Sequence, residues 1–158
     1  MTDFTETTTP QGYVLSDARG RFDLARAHGW IGGQSYWAKG IPLAVFEKAV
    51  ANSLTVGVYV PKSGLGDGAM AAMARVVTDR ASFGWICDVF VDEDHRGAGL
   101  GKAIMAYLKG HPDLQGLRRL HLATRDAHGL YAQFGFGPLT GADRWMEIRD
   151  PDVYRRGV

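Results

Sequence analysis

The sequence predicts an α+β domain with a mixed α/β arrangement: a central, mostly antiparallel, twisted sheet of about six to seven strands with helices on both faces. Three observations lead there. Short apolar runs bounded by turn residues, the mark of strands, recur through the chain. Strands run into helices in the second half after an antiparallel first half. The 158 residues, 46% hydrophobic and 22% charged, suffice for one ordinary core. Nothing repeats and no low-complexity segment marks a linker, so residues 1–158 read as one domain. Residues 1–11 of it are polar and read as a flexible tail.

"GYVLS" (12–16) alternates as a first strand, and residues 17–20 turn. "RFDLARAHGWIGGQSYW" spaces Phe22, Leu24, Ala25, His28 and Ile31 for a short helix that Gly32 and Gly33 would end. "IPLAVFEKAVANS" (41–53) is a second helix, with Pro42 near its first turn and Leu43, Phe46 and Val50 on one face. "LTVGVYV" (54–60) is a strand closed by the turn-rich "PKSGLGDG" (61–68). "AMAAMARVVTD" and "SFGWICDVFV" continue an antiparallel meander. "GLGKAIMAYLKG" (99–110) is a helix stopped by Gly110, His111 and Pro112. A strand over 117–124, a short helix over 126–135 and a last strand over 144–148, "RWMEI", complete the series.

A formal net charge of +1 lacks the basic excess of a dedicated nucleic-acid binder. The one basic stretch, 116–125, reads as a strand's solvated side chains. No apolar run approaches the ~18 residues of a membrane span, and the polar start carries no apolar signal core. A single cysteine, Cys87, excludes an intrachain disulfide and reads as a buried structural thiol. A reduced, cytoplasmic setting is the expectation. The five histidines show no metal-ligand spacing with one another or with Cys87, so no metal is expected.

"DEDHRGAGLGKA" (92–103) is the most informative stretch. Glycines at 97, 99 and 101 sit between an apolar strand and a helix, and glycine loses the most backbone freedom on folding. A P-loop pattern fails because Lys102 precedes Ala103 and no glycine stands at 96. A Gly-x-Gly-x-x-Gly fingerprint fails because residue 102 is lysine. What remains is Arg-Gly-x-Gly-x-Gly at a helix start, where freed N–H groups and the helix dipole suit an anion. Arg96 and Lys102 add charge at the rim. The loop is built for a phosphate.

A second motif follows about thirty residues later, "LYAQFGF" (130–136). Taken alone, Tyr131 reads as a core tyrosine with its hydroxyl satisfied. Together, "DVFVDEDHRGAGLGKAIM" and "LYAQFGF" resemble the GNAT superfamily of acyl-CoA-dependent N-acetyltransferases. The likeness covers roughly residues 85–138 and rests on the order strand, Arg-Gly-x-Gly-x-Gly, helix, strand, Leu-Tyr-x-x-x-Gly-Phe. The resemblance implies a GNAT-like acyl-CoA N-acyltransferase fold with acetyl-CoA as co-substrate. Val89, Phe90 and Val91 would then pair with the pantetheine arm. Arg96, Gly97, Ala98, Gly99, Leu100, Gly101 and Lys102 would cradle the pyrophosphate, with Thr124 and Leu130 beside the cofactor. Tyr131 would protonate the departing thiolate. Members often carry asparagine seven residues before that tyrosine, where Thr124 stands here.

Acyl transfer to an amine needs the neutral amine, and a lysine-like group of pKa ~10.4 is almost wholly protonated at pH 7. A general base, direct or through water, is therefore expected. Asp88 is the candidate; it could equally bind the ammonium group or brace a neighbouring loop. Arg75, inside an apolar strand, needs a partner if buried, and Asp88 is a suitable one. If those two pair, Asp88 is a poorer base. On the acceptor side, Trp30, Tyr36 and Trp37 are candidates to cage an alkylammonium or an aromatic substrate, or else to staple the helices to the sheet. Arg75 is grouped with them as a substrate-side residue.

The expected activity is acetyl transfer from acetyl-CoA to a primary amine of a small molecule, a protein N-terminus or a lysine. The alternative is an acyl-CoA-binding regulatory or interaction module without turnover. An exposed last strand would be free to pair with a second copy, giving a homodimer.

Overall fold

Six strands lie side by side in chain order: β1 (Glu6–Thr8), β2 (Val14–Ser16), β3 (Leu54–Tyr59), β4 (Met70–Thr78), β5 (Phe83–Val91) and β6 (Arg119–Leu122). Neighbours from β1 to β5 are antiparallel, whereas β5 and β6 are parallel. Parallel neighbours require a long crossover, and α3 (Leu100–Gly110) supplies it. Helices α1 (Leu24–Gln34) and α2 (Leu43–Ala51) join β2 to β3, and α4 (His128–Ala132) follows β6. The computed structural model describes residues 3–61 and 68–156, so most of the turn expected over 61–68 lies outside the described residues.

Two apolar clusters occupy opposite faces of the sheet. One packs Ile104, Met105 and Leu108 of α3 against Leu15, Val56, Val58 and Ile86. The other packs Ala27 and Ile31 of α1 and Phe46 of α2 against Tyr59, Met73 and Phe90. Strand β3 is buried at every position because both faces are covered. This two-sided burial is why "LTVGVYV" reads as a nearly continuous apolar run.

Four local expectations are corrected. Helix α1 runs through Gly32 and Gly33 to Gln34, and Ser35 ends it by donating its hydroxyl to the Ile31 carbonyl at 2.6 Å. Gly32 serves close approach instead: a Cβ there would lie 3.5 Å from the Ile41 carbonyl oxygen and 3.3 Å from His28 Nε2. On α2, Phe46 is fully buried but Leu43 is half exposed, so the buried stripe is narrower than its spacing suggests.

Residues 6–8, expected in a tail, pair with β2 instead. Asp17 accepts from the Thr5 N–H and sits 2.8 Å from His111 Nε2, while the Tyr107 hydroxyl donates to the Thr5 carbonyl at 2.7 Å. Those long-range bonds give β1 an anchor that composition alone does not show. Finally, the strand expected over 144–148 is absent; a 3-10 turn over Ala142–Arg144 leads into an irregular, exposed segment.

Phe46→Ala should destabilise the fold by about 3–5 kcal/mol, since it opens a cavity in a fully enclosed site. Leu43→Ala should stay within about 1 kcal/mol. Urea midpoints of the two variants check the contrast, and equal losses would contradict this packing of α2.

Candidate active site

The site begins where β5 leaves β6. Their parallel ladder pairs Phe83–Ile86 with Arg119–Leu122 and ends there, while β5 continues to Val91. Residues 87–91 therefore have no strand partner on that side, and residues 87–89 of them line a cleft there. The cause is a β-bulge. Met73 pairs with Phe90 and Arg75 with Cys87, so Ala74 alone faces both Asp88 and Val89. Asp88 takes up the extra residue with φ +51°, a left-handed conformation that aspartate tolerates better than most side chains. A bulge bends its strand and resets its alternation. Ile86 accordingly packs into the α3 cluster, yet Phe90, four residues on, packs into the α1–α2 cluster.

Asp88 is buried, and both its carboxylate oxygens are engaged. Oδ1 accepts from Trp37 Nε1 at 2.7 Å, and Oδ2 accepts from Arg75 Nε at 2.7 Å. A second guanidinium nitrogen of Arg75 donates to Ser53 Oγ at 3.0 Å. Breaking a buried pair strands a charge in a low-dielectric site, which is far costlier than losing a surface pair. The bulge and this network hold each other: the bulge turns the carboxylate inward, and the guanidinium and indole receive it.

Downstream of β5, the glycine loop carries the backbone into α3. Gly97 has φ +84° and Gly99, the residue before the first helical turn, has φ +74°. Both conformations favour glycine, and a Cβ at either would point into open space. The first helical bond runs from the Ala103 N–H to the Gly99 carbonyl. The N–H groups of Leu100, Gly101 and Lys102 consequently lack intrahelical partners and face the helix start. Arg96 is exposed and donates Nε to the Val91 carbonyl at 3.3 Å, which ties the loop back to the end of β5. A concavity of free N–H groups between two cations fits the pyrophosphate of a nucleotide cofactor. Gly101 has a different duty, since its missing side chain lets Leu130 of α4 approach to 3.4 Å of the Cβ position.

The cleft between β5 and β6 encloses about 510 Å³. One wall is residues 85–89 of β5, the other is residues 122–127 with Tyr131, and Tyr36 and Trp37 close the end. The Tyr36 hydroxyl accepts from the Arg125 N–H at 3.2 Å, and the Arg125 guanidinium lies 3.9 Å from the Tyr36 ring centroid. The loop after α1 is thus strapped to the loop after β6. Burial, with smaller contributions from Tyr36 and Asp126, raises the Tyr131 hydroxyl above its ordinary range. Burial also pushes the Cys87 thiol up to about 12, so this wall cysteine is held protonated.

The structure brings Asp88, Val89, Thr124, Tyr131, Tyr36 and Trp37 to one cleft. It separates Trp30 from them. That ring is buried against Phe90 with centroids 5.5 Å apart, so it anchors α1 to the sheet and does not reach an acceptor. Arg75 lies behind the wall as the partner of Asp88 rather than on the cleft surface. Thr124 spends its hydroxyl locally, accepting from the Ala127 N–H at 3.0 Å to start α4. Sequence reasoning passed over Trp85, Arg125 and Asp126. Trp85 could have been found from alternation, which sets it on the same strand face as Cys87. Arg125 and Asp126 could have been found from their place between β6 and α4.

The comparisons with known proteins concern the family and the fold. Residues 55–136 match the acetyltransferase (GNAT) family model, and the chain belongs to that family. A protein of Xanthomonas campestris pv. campestris belonging to the GNAT family has a crystal structure that superposes with a TM-score of 0.84. It is 40% identical, over 94% of this chain and 99% of that one. A candidate acetyltransferase of Gibberella zeae is 27% identical over 113 residues, 62% of this chain and 63% of its own length. The chain thus spans under two thirds of that relative. A candidate acetyltransferase of Clostridium acetobutylicum, solved with acetyl-CoA, shares the fold at 17% identity and a TM-score of 0.54, over 87% of this chain and 95% of that one. The matched family segment holds β3 to β6 with α3 and α4 but leaves out α1 and α2, which carry Tyr36 and Trp37 between them.

Arg75→Met should destabilise the protein by about 3 kcal/mol, because the Asp88 carboxylate loses its charged partner while buried. Chemical denaturation of the variant measures this. A loss under about 1 kcal/mol would show that the pair does not hold the bulge.

Proposed function

We propose that this protein transfers the acetyl group of acetyl-CoA to a primary amine, by direct attack within the cleft between β5 and β6. The observation that supports it most is one continuous path. Unpaired strand edge at residues 87–91 leads at one end to the N–H cradle of α3 and at the other to the Tyr131 hydroxyl. Strand edge suits the amides of a pantetheine arm, the cradle suits a pyrophosphate, and the tyrosine suits a leaving thiolate.

In the reaction the amine nitrogen bonds to the thioester carbonyl carbon, the carbon–sulfur bond breaks, and the sulfur leaves with the bonding pair. Tyr131 donates its proton to that sulfur. Its raised pKa keeps the phenol protonated across neutral pH, so the proton is present when the thiolate forms. Asp88 serves as a positioning residue: with both oxygens committed to Trp37 and Arg75, it fixes the cleft wall and the orientation of the indole. Asp126, exposed on the opposite wall, is the carboxylate placed to receive the ammonium group and the proton it sheds. The acceptor enters past Tyr36, Trp37 and Trp85, whose faces suit an amine with an apolar body.

Tyr131→Phe should lower turnover roughly 100-fold while leaving acetyl-CoA affinity within about twofold. Thiol release over an amine panel and calorimetric titration check the two halves. The activity of the native protein should persist beyond the pH at which an ordinary tyrosine ionises before deprotonation of this phenol removes the acid, since burial raises its pKa. Unchanged turnover in the variant would remove Tyr131 from that role.

A further inference from the structure

Three charged side chains line the cleft between β5 and β6: Asp88, Arg125 and Asp126. Asp88 is answered from within the protein, because Arg75 pairs with it behind the wall and Trp37 takes its other oxygen. Arg125 and Asp126 have no such answer. Neither takes part in an ion pair among the described residues. The cleft therefore offers an acceptor one free cation beside one free carboxylate, and no net charge.

The charge of Arg125 is held in place. Its backbone N–H donates to the Tyr36 hydroxyl at 3.2 Å, and its guanidinium lies 3.9 Å from the centroid of the same ring. A guanidinium stacked in this way gives its face to the ring and keeps its edge of N–H donors for another group. A fork of donors fixed in advance lowers the ordering cost of binding a carboxylate. Asp126 stands at the next position, near enough to Tyr131 that its charge adds to the rise in the phenol pKa, as does Tyr36. Cation, carboxylate and acid thus share one small region.

This pairing discriminates between classes of amine. A polyamine would set a second ammonium group against Arg125, a like-charge contact. A phosphorylated amine brings a dianion, for which the cleft lining holds a single free cation. A simple apolar amine leaves the guanidinium unanswered. A zwitterion satisfies both side chains, with its ammonium on Asp126 and its carboxylate on Arg125. Since those residues are adjacent in the chain, the two charges of the ligand belong on one carbon, as in an α-amino acid. Trp37 and Trp85, 43% and 46% exposed, supply the wall for its side chain. The Trp37 indole is already oriented by Asp88 and by edge-on contact with Tyr36, at 5.0 Å between centroids. Half-exposed indoles of this kind suit an apolar or aromatic group.

We propose that the acceptor is a free α-amino acid with an apolar or aromatic side chain, and that Arg125 selects it by its carboxylate. The proposal rests on the acetyl-transfer reading and narrows its acceptor. The ammonium group sheds one proton to Asp126, and the nitrogen then bonds to the acetyl carbon. The carbon–sulfur bond breaks with its electron pair on sulfur, which takes the Tyr131 proton. A second proton lost from nitrogen restores the phenol through solvent. The products are the N-acetyl amino acid, coenzyme A and one proton.

Thiol release with L-phenylalanine and L-leucine is compared with phenethylamine and isopentylamine, which lack only the carboxylate. The amino acids should show kcat/KM at least about 10-fold higher. In Arg125→Met that preference should vanish through a rise in KM for L-phenylalanine of about 10- to 100-fold. Arg125→Lys should restore part of it, and Arg125→Glu should reverse it in favour of phenethylamine. If Arg125 only braced Tyr36, all three variants would lower both kinds of acceptor alike. Equal rates for the two kinds in the native protein, or a preference that survives Arg125→Met, would overturn the proposal. If no amine releases thiol, the acetyl-transfer reading falls, and calorimetric titration at saturating coenzyme A decides the carboxylate site separately. Tighter binding of L-phenylalanine than of phenethylamine, lost in Arg125→Met, supports the site; equal or absent binding overturns it.

Discussion

The buried contact between Asp88 and Arg75 is the constraint from which the rest of the site follows. A carboxylate in the middle of a strand belongs on the surface; here it is buried, and it stays there because a guanidinium and an indole N–H take both its oxygens. Meeting them requires the left-handed backbone at residue 88, and that backbone is the bulge. The bulge bends β5 away from β6 and leaves the strand edge open. One buried ion pair thus accompanies a gap in an otherwise continuous sheet, and that gap is the cleft the proposed reaction would use.

Two halves of the site are built by different means. On the proposed function, the half that would take the cofactor is made of backbone: an unpaired strand edge, left-handed glycines and the first turn of α3. Backbone groups of that kind leave characteristic residues in the sequence, chiefly the glycines that permit them. The half that would take the acceptor is made of side chains brought from the loop after α1, from β5 and from the loop after β6. The strap between Tyr36 and Arg125 joins two loops whose residues are separated by 89 positions in the chain. Such a surface can change from one family member to the next without disturbing the sheet, which is how one fold comes to serve many acceptors.

The same division explains what the sequence disclosed. Strands β3 to β6, helices α1 to α4 and the glycine loop were legible because periodicity and turn residues are local signals. The bulge was not, because "WICDVFV" alternates no differently from a regular strand, and only pairing with β4 reveals that Asp88 and Val89 share one partner. Trp30 looked like a neighbour of Tyr36 and Trp37 because it stands near them in the chain. Its helical position turns it instead into the core against Phe90. Strand β1 was hidden by its polar composition, since its anchors, Asp17 and Tyr107, lie far away in sequence. "RWMEI" read as a strand from its pattern, but among the described residues no strand pairs with it, and alternation alone does not supply a partner.

Amide hydrogen exchange on the native protein, with and without acetyl-CoA, tests the central claim most directly. If the open edge of β5 and the start of α3 receive the cofactor, amides of residues 87–91 and 97–102 should gain protection together, while those of β1 and β2 stay unchanged. Protection confined to other parts of the sheet, or none at saturating acetyl-CoA, would contradict the account.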